Sequence, residues 1–455
     1  MIPIYEYGQV PNSEIFARDN IASNVEGAVT EILAQVAARG DEALREYTLR
    51  FDKADLANLE VTEAEIDEAF AAVEPEFVVI LEQAAANIRA FHEKQRRNSF
   101  VVADQPGVVL GQKIVPIQKV GLYVPGGKAV YPSSVIMNAV PAQAAGVESL
   151  AIATPPNRND PDGWPNKTIL ATCAMLGVDE VYAVGGAQAI AMFAYGATDV
   201  DDPTNPVLCE PVDKITGPGN IFVATAKRLV SGIVGIDAVA GPTEIAIIAD
   251  KDANPEFVAA DLIGQAEHDE LAGSVLITDS PELADAVQAS LLKRVPRTEH
   301  AERVETSLRG QQSGIILTDS VDQSIDAANA YAAEHLEVQT ADPDAVIARI
   351  RNAGAIFRGP YSPVPLGDYM SGSNHVLPTS GTARFAAGLG VHTFMKPVEV
   401  IEYDEQGLKE LASRVNAFAV SEDLPAHGES VLTRFVADPY DKETLTSQEE
   451  EAGLR

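Results

Sequence analysis

Residues 149–196 read SLAIATPPNRNDPDGWPNKTILATCAMLGVDEVYAVGGAQAIAMFAYG, and the order of their apolar runs decides the fold class. SLAIATPP and DEVYAVGG are short apolar runs closed by Pro or Gly, as buried strands are. KTILATCAML and AQAIAMFAYG have the length and composition of helices. Strand and helix in alternation favour a parallel sheet with helices on its faces. The alternation returns between residues 243 and 359. There TEIAIIAD, GSVLITDS, SGIILTDS, LEVQTAD and AIFRG read as strands, and NPEFVAADLIGQAEHDE and SPELADAVQASLLKRV as helices. Two such arrays predict two open α/β units, although no residue-level repeat relates them.

Before these arrays, Val25, Val29, Ile32, Leu33 and Val36 fall on one helical face that stops at Gly40. Thr62 with Glu65 three residues on is a capping box, leading into the apolar series Ile66, Phe70, Val73 and Phe77. The first part of the chain is therefore mainly helical. After Gly388 the composition turns mixed, and a helical element around Leu408–Phe418 leads to His427. The tail SQEEEAGLR is expected to be disordered.

At 455 residues and 46% hydrophobic content, the chain can bury more than one core, so two or three domains are expected. A formal charge of −34 argues against a nucleic-acid surface, which needs clustered Lys and Arg. No apolar run reaches the roughly 18 residues of a membrane span, and the start MIPIYEYGQVPNSE lacks signal-peptide order. The expected location is cytoplasmic. Two cysteines, Cys173 and Cys209, are too few for a disulfide framework.

Chemistry-bearing residues gather in a few short segments. LGDYMSGSNHVLPT, residues 366–379, sets Asp368 and His375 among Gly367, Ser371 and Gly372, small residues that let a backbone approach a ligand. Gln265 and His268 sit three apart on a predicted helix and project from nearly one face, a spacing that suits a shared ion or a solvated helix end. Glu334 and His335 are neighbours at a helix–strand junction, where acid and base could divide two proton transfers. The turns VPGGKAVYP, VGGAQ, TGPGN and AGPTE are not G-x-G-x-x-G; they admit phosphate oxygens or serve as ordinary turns. Residue chemistry alone stops at a zinc-type enzyme with a Glu and His pair.

Longer motifs carry a resemblance. GLYVPGGKAVYPSSVIMNAVPAQAAGV, VGGAQAIA, GPGNIFVATAKR, VGIDAVAGPTEI, DLIGQAEHDE, AAEHLEVQT, GAIFRGPYSPVPLGDYMSGSNHVLPTSGTARF and SEDLPAHGESV together resemble the histidinol dehydrogenase family, in order, from residue 24 to 435. The resemblance implies oxidation of L-histidinol through L-histidinal to L-histidine, the last step of histidine biosynthesis, with two NAD and one zinc ion per subunit. By motif match it implies zinc ligands Gln265, His268, Asp368 and His427, the last donated by the partner of a homodimer. Glu334 and His335 match the acid/base pair. Thr243, His375 and Glu422 match substrate-contacting positions, beside Gln265, His268, His335, Asp368 and His427; Thr243 is commonly serine elsewhere in the family. Tyr123, Gln188 and Asn220 match NAD-contacting positions.

The implied fold is two incomplete Rossmann-like α/β domains, one inserted in the other, with small terminal elements exchanged across an intertwined homodimer that shares its active sites. On this reading residues 1–20 form an arm, 21–122 with 244–388 the first domain, 123–243 the second, 389–440 a small domain donating His427, and 441–455 the tail. Alternatives are a paralogue oxidising another polar alcohol, a zinc hydrolase using Glu334 to activate water, and an acidic interaction protein with a structural metal. Glu422 and His375 favour a cationic imidazole-bearing substrate, and no Arg or Lys stands in GDYMSGSNH or SEDLPAHG to bind a sulfonate.

Overall fold

The computed structural model describes residues 2–16, 22–126, 130–160, 163–198, 207–441 and 443–454. Gly127 of the VPGG turn, part of the amino-terminal arm and Arg455 of the tail lie outside these residues. The described chain forms two compact units, Met1–Arg96 with Pro116–Phe394, and Arg97–Val115 with Met395–Arg455. Among the described residues no helix is long and apolar enough to cross a membrane.

The larger unit holds both α/β arrays. Its first sheet runs Ile4–Glu6, Gly314–Leu317, Gly273–Thr278, Glu244–Ala249, His335–Gln339, Ala355–Arg358, every neighbour parallel. Strands Glu244–Ala249 and Gly273–Thr278 are buried at every position, as strands covered by helices on both faces must be. The arm contributes the edge strand Ile4–Glu6. The second sheet runs Gly235–Ile236, Lys214–Thr216, Lys119–Tyr123, Ser149–Ala153, Glu180–Tyr182, Glu60–Val61, parallel except for the last pair.

This second sheet departs from the expected division at residue 122. Strands Lys119–Tyr123 and Glu60–Val61 belong to it. The stripe Val29, Ile32, Leu33 and Val36, on helix Ala22–Arg39, shares a core with Ala187, Ile190, Val223 and Ala226. Small residues on helices Gly186–Tyr195 and Ile221–Val230 let that stripe come close, and each large residue so buried contributes about 1.5–3 kcal/mol. Much of residues 22–61 thus goes with the second array. The capping box of Thr62 and Glu65 is formed, and Pro75 opens a separate helix, Pro75–His92.

The smaller unit joins the hairpin of Phe100–Gln105 and Val108–Pro116 to strand Met395–Tyr403 and helices Glu405–Ser421, Pro425–Leu432 and Leu445–Glu451. Two expectations are corrected here. The carboxy-terminal domain does not stand on residues 389–440 alone, because strand Val108–Pro116 pairs with both its hairpin partner and Met395–Tyr403. The described tail is ordered, because Leu445, Ala452 and Leu454 pack with Ala412, Leu432 and Val436, and Ser413 Oγ donates to the Leu454 carbonyl at 2.5 Å. Ending the chain after Asp441 is expected to cost the smaller unit about 2–4 kcal/mol. Differential scanning calorimetry should show a transition several degrees lower; an unchanged trace would refute the packing role of the tail.

Candidate active site

The polypeptide leaves helix Val321–Tyr331 through Ala332 at φ 54°, a left-handed turn that delivers Glu334 and His335 to the amino end of strand His335–Gln339. There His335 pairs with Ile245 on the neighbouring strand. Glu334 Oε2 accepts from Thr243 Oγ1 at 2.5 Å and from the Glu244 N–H at 3.0 Å. Gln265 Nε2 donates to the same Thr243 oxygen at 2.8 Å, which leaves the Gln265 carbonyl oxygen as the group available to a cation. Burial pushes the Glu334 carboxyl up to about 7 against those hydrogen bonds.

His335 is buried as well. Its Nδ1 lies 3.2 Å from the Glu244 carbonyl, and a carbonyl can only accept, so the proton sits on Nδ1. The other nitrogen, Nε2, is buried with no partner. Burial holds the ring below the ordinary imidazole pKa, opposed by Asp368 and the Glu244 carbonyl. His335 is thus a neutral base with a bare lone pair. The Glu334 carboxylate, 3.6 Å from Nδ1, lies beyond hydrogen-bond reach of that proton.

Asp368 and His375 join this neighbourhood. Asp368 lies in the last turn of the short helix Val364–Tyr369; burial raises it to about 6, with the His335 charge opposing and Glu334 adding. His375 Nδ1 donates to the Asp368 carbonyl at 3.2 Å, and its Nε2 faces Ser134 Oγ at 3.3 Å. Burial pushes His375 down to about 4, and His335 and His268 oppose its charge as well. The loop is anchored beyond its own residues: Asn374 donates to the Met137 carbonyl at 2.6 Å, and Asn87 to that of Met370 at 2.8 Å. At Gly372, φ is +99° and a Cβ would lie 2.7 Å from the Asn87 carbonyl oxygen.

Gln265 and His268 do not share a helix as expected. The helix is Pro255–Ala266, and His268 lies in the turn beyond it. His268 is exposed on one side, while burial on the other and the nearby His335 lower its proton affinity. Both residues stand at a helix carboxyl end, where the backbone carries partial negative charge and favours a cation. Among the described residues no three His, Cys, Asp or Glu side chains gather into a metal shell. His268, Asp368 and the freed Gln265 oxygen are nitrogen and oxygen donors that suit a borderline cation, short of a full set in one unit.

Tyr123, Gln188 and Asn220 come together elsewhere in the larger unit, lining a cavity of about 680 Å³ at the carboxyl ends of the second sheet. The chain reverses direction across the sheet beside strand Lys119–Tyr123, the position where open α/β sheets hold ligands. Tyr123 Oη accepts from the Gly186 N–H at 3.0 Å, and burial pushes its phenol up to about 12. Asn220 caps helix Ile221–Val230, its Oδ1 accepting from Phe222 and Val223. Gly217, φ +112°, permits the approach of the TGPGN turn, since a Cβ there would meet the Tyr123 carbonyl oxygen at 2.1 Å.

Glu422 and His427 lie on the smaller unit, exposed in and after the turn that joins helices Glu405–Ser421 and Pro425–Leu432. Sequence reasoning passed over Glu244, Ser134 and Asp52. Glu244 acts through its main chain, which leaves no side-chain signal. Ser134 reaches His375 across 241 residues. Asp52, which lines the cavity with one carboxylate oxygen buried and unpartnered, stands in no motif.

A sequence profile described as histidinol dehydrogenase matches residues 17–435. The histidinol dehydrogenase of Bifidobacterium longum is 71% identical over 427 residues, which cover 94% of this chain and 91% of that protein. That of Corynebacterium diphtheriae is 54% identical over 407 residues, 90% of each. The crystal structure of histidinol dehydrogenase from Elizabethkingia anophelis aligns with a TM-score of 0.87 at 33% identity, covering 95% of this chain and 98% of that one. With nearly the whole chain matched in sequence and in fold, this protein belongs to the histidinol dehydrogenase family.

Proposed function

We propose that the chain oxidises L-histidinol to L-histidine through bound L-histidinal, with NAD as hydride acceptor. The observation that carries the proposal is the buried, partnerless Nε2 of a neutral His335 beside Glu334. When bound, zinc supplies a charge that fixes the amino and imidazole nitrogens of the substrate, and NAD supplies the hydride acceptor. Gln265 through its carbonyl oxygen, His268 and Asp368 hold the ion from one chain. Tyr123, Gln188 and Asn220 hold the dinucleotide, and Thr243 contacts substrate from its place between Gln265 and Glu334. His375 contacts it from the Ser134 side.

Proton accounting assigns the pair. As the carbinol carbon loses a hydride, His335 Nε2 takes the hydroxyl proton, leaving the aldehyde. Glu334 takes a proton from the water that adds to the aldehyde carbon while His335 returns its proton to the former carbonyl oxygen, which completes the hydrate and frees Nε2 again; the environment of Glu334, which raises its proton affinity, lets it act near neutral pH. The hydrate then loses its second hydride while His335 takes the hydroxyl proton, and the product is the carboxylic acid. Retention of the aldehyde shields it from amines.

Glu422 and His427 complete the site from a second chain. Their exposure on the smaller unit fits a donated pair. That unit also exposes Phe100, Val101, Ile401 and Phe418, at 54%, 71%, 72% and 68%, an apolar surface of the kind partner chains cover. The dimer is accordingly read as intertwined and its sites as shared.

Three measurements test this reading. Chelation is expected to abolish turnover and leave far-ultraviolet circular dichroism nearly unchanged, because the α/β cores need no ion; zinc restores activity, and full activity in metal-free protein would sink the assignment. His335→Asn is expected to slow both oxidations by roughly 10²–10⁴, while Glu334→Gln slows chiefly the aldehyde half. Oxidation of supplied histidinal at the normal rate by Glu334→Gln would remove its role. Third, His427→Ala and His268→Ala homodimers should each be nearly inactive, and their unfolded and reassembled mixture should recover roughly a quarter of wild-type activity. Differently tagged chains verify the hybrid, and verified hybrids without activity would exclude a shared site.

A further inference from the structure

Beneath the site lies a second layer of polar contacts that the reaction does not use. Glu337, 1% exposed, follows His335 by two residues on strand His335–Gln339, so the two side chains share a face. Its Oε1 accepts from the Val364 N–H at 3.2 Å, and its Oε2 from Gln339 Nε2 at 2.8 Å. The same Gln339 nitrogen donates to Asp261 Oδ2 at 3.0 Å, and Glu337 hydrogen-bonds Asp261 directly. Val364 and Asp261 each belong to a helix that bears a proposed metal ligand.

The spacing repeats on all three elements. Asp261 precedes Gln265 by four residues on helix Pro255–Ala266, and Val364 precedes Asp368 by four on helix Val364–Tyr369. Four helical residues and two strand residues each advance about 6 Å along their axes. One cluster thus holds three elements a constant step from where Gln265, Asp368 and His335 meet. Helix Val364–Tyr369 has no side-chain cap from Pro363, so Glu337 supplies the missing acceptor for its first N–H. Gly367 supports the arrangement: a Cβ there would lie 2.8 Å from the Phe357 ring, and that ring contacts His335.

We propose that Glu337, with Asp261, is a positioning residue that sets the separation of Gln265 and Asp368 and thereby the affinity of the metal site. The inference rests on the reading of those two residues as ligands. Two carboxyls in contact, one of them fully buried, do not both ionise, and burial with the Asp261 charge holds Glu337 well above the ordinary carboxylate range. Glu337 therefore carries the proton and donates it to Asp261. A carboxamide can imitate that neutral donor and acceptor; an alkyl group cannot.

Cobalt(II) titration of the metal-free full-length protein tests this, by competition with a chelator and by the visible d–d spectrum. Glu337→Gln is expected to stay within about twofold of wild type, and Glu337→Leu to weaken cobalt binding about 10–100-fold with an altered spectrum, as loss of supporting contacts around metal ligands does. A change of fold stability alone would move neither affinity nor spectrum in the folded protein. If Glu337→Leu does not fold, Asp261→Ala, at a partly exposed position, decides in its place with the same thresholds. A folded variant of either kind that binds cobalt within twofold of wild type, with the same spectrum, overturns the proposal. His268→Ala is the control: if it too binds cobalt like wild type, the ligand reading itself has failed, whereas its loss beside a normal Glu337→Leu refutes only the positioning role.

Discussion

A carboxylate removed from water costs several kcal/mol unless hydrogen bonds replace its hydration, and the candidate active site is organised around meeting that cost at Glu334. One oxygen of Glu334 is served by the Thr243 hydroxyl and the Glu244 N–H. Thr243 is in turn served by Gln265, and the Glu244 carbonyl fixes the tautomer of His335. A single buried acid thus orients an amide and an imidazole. The compensation is incomplete, which is why its proton affinity rises into a range useful for moving protons.

The two sheets use opposite edges. In the second, the cavity lined by Tyr123, Gln188 and Asn220 lies at the carboxyl ends of strands, where helices Gly186–Tyr195 and Ile221–Val230 begin and their N–H groups favour anions. In the first, Thr243 and His335 stand at the amino ends, where helix Pro255–Ala266 finishes and its carbonyls favour a cation. A dinucleotide carries a pyrophosphate and a zinc site a double positive charge. The polarity of parallel strand–helix units therefore matches each proposed ligand to its edge.

Below the site, buried polar groups fix direction as much as they add stability. The cluster of Glu337, Asp261 and Gln339 is satisfied except for the Gln339 carbonyl oxygen, and it ties a strand to two helices that apolar packing alone would let slide.

The class of fold and the residue types of the site are legible in the order of amino acids alone. Length and apolar content distinguish EIAIIA and GSVLIT from the helix between them, because burial on both faces confines polar residues to the ends of the runs. Long motifs such as GPYSPVPLGDYMSGSNHVLPT identify a family because so many specific side chains occur in order. Tertiary structure decided which array each segment joins, since the stripe of helix Ala22–Arg39 fits any surface of small residues and only the folded chain shows that it lies against Gly186–Tyr195. It decided that the acidic tail folds, because three apolar residues among many charges suffice once a complementary core exists. It decided, too, the tautomer of His335 and the contact of Ser134 with His375, 241 residues away. Those follow from long-range backbone and side-chain hydrogen bonds, which leave no periodic trace in the order of amino acids.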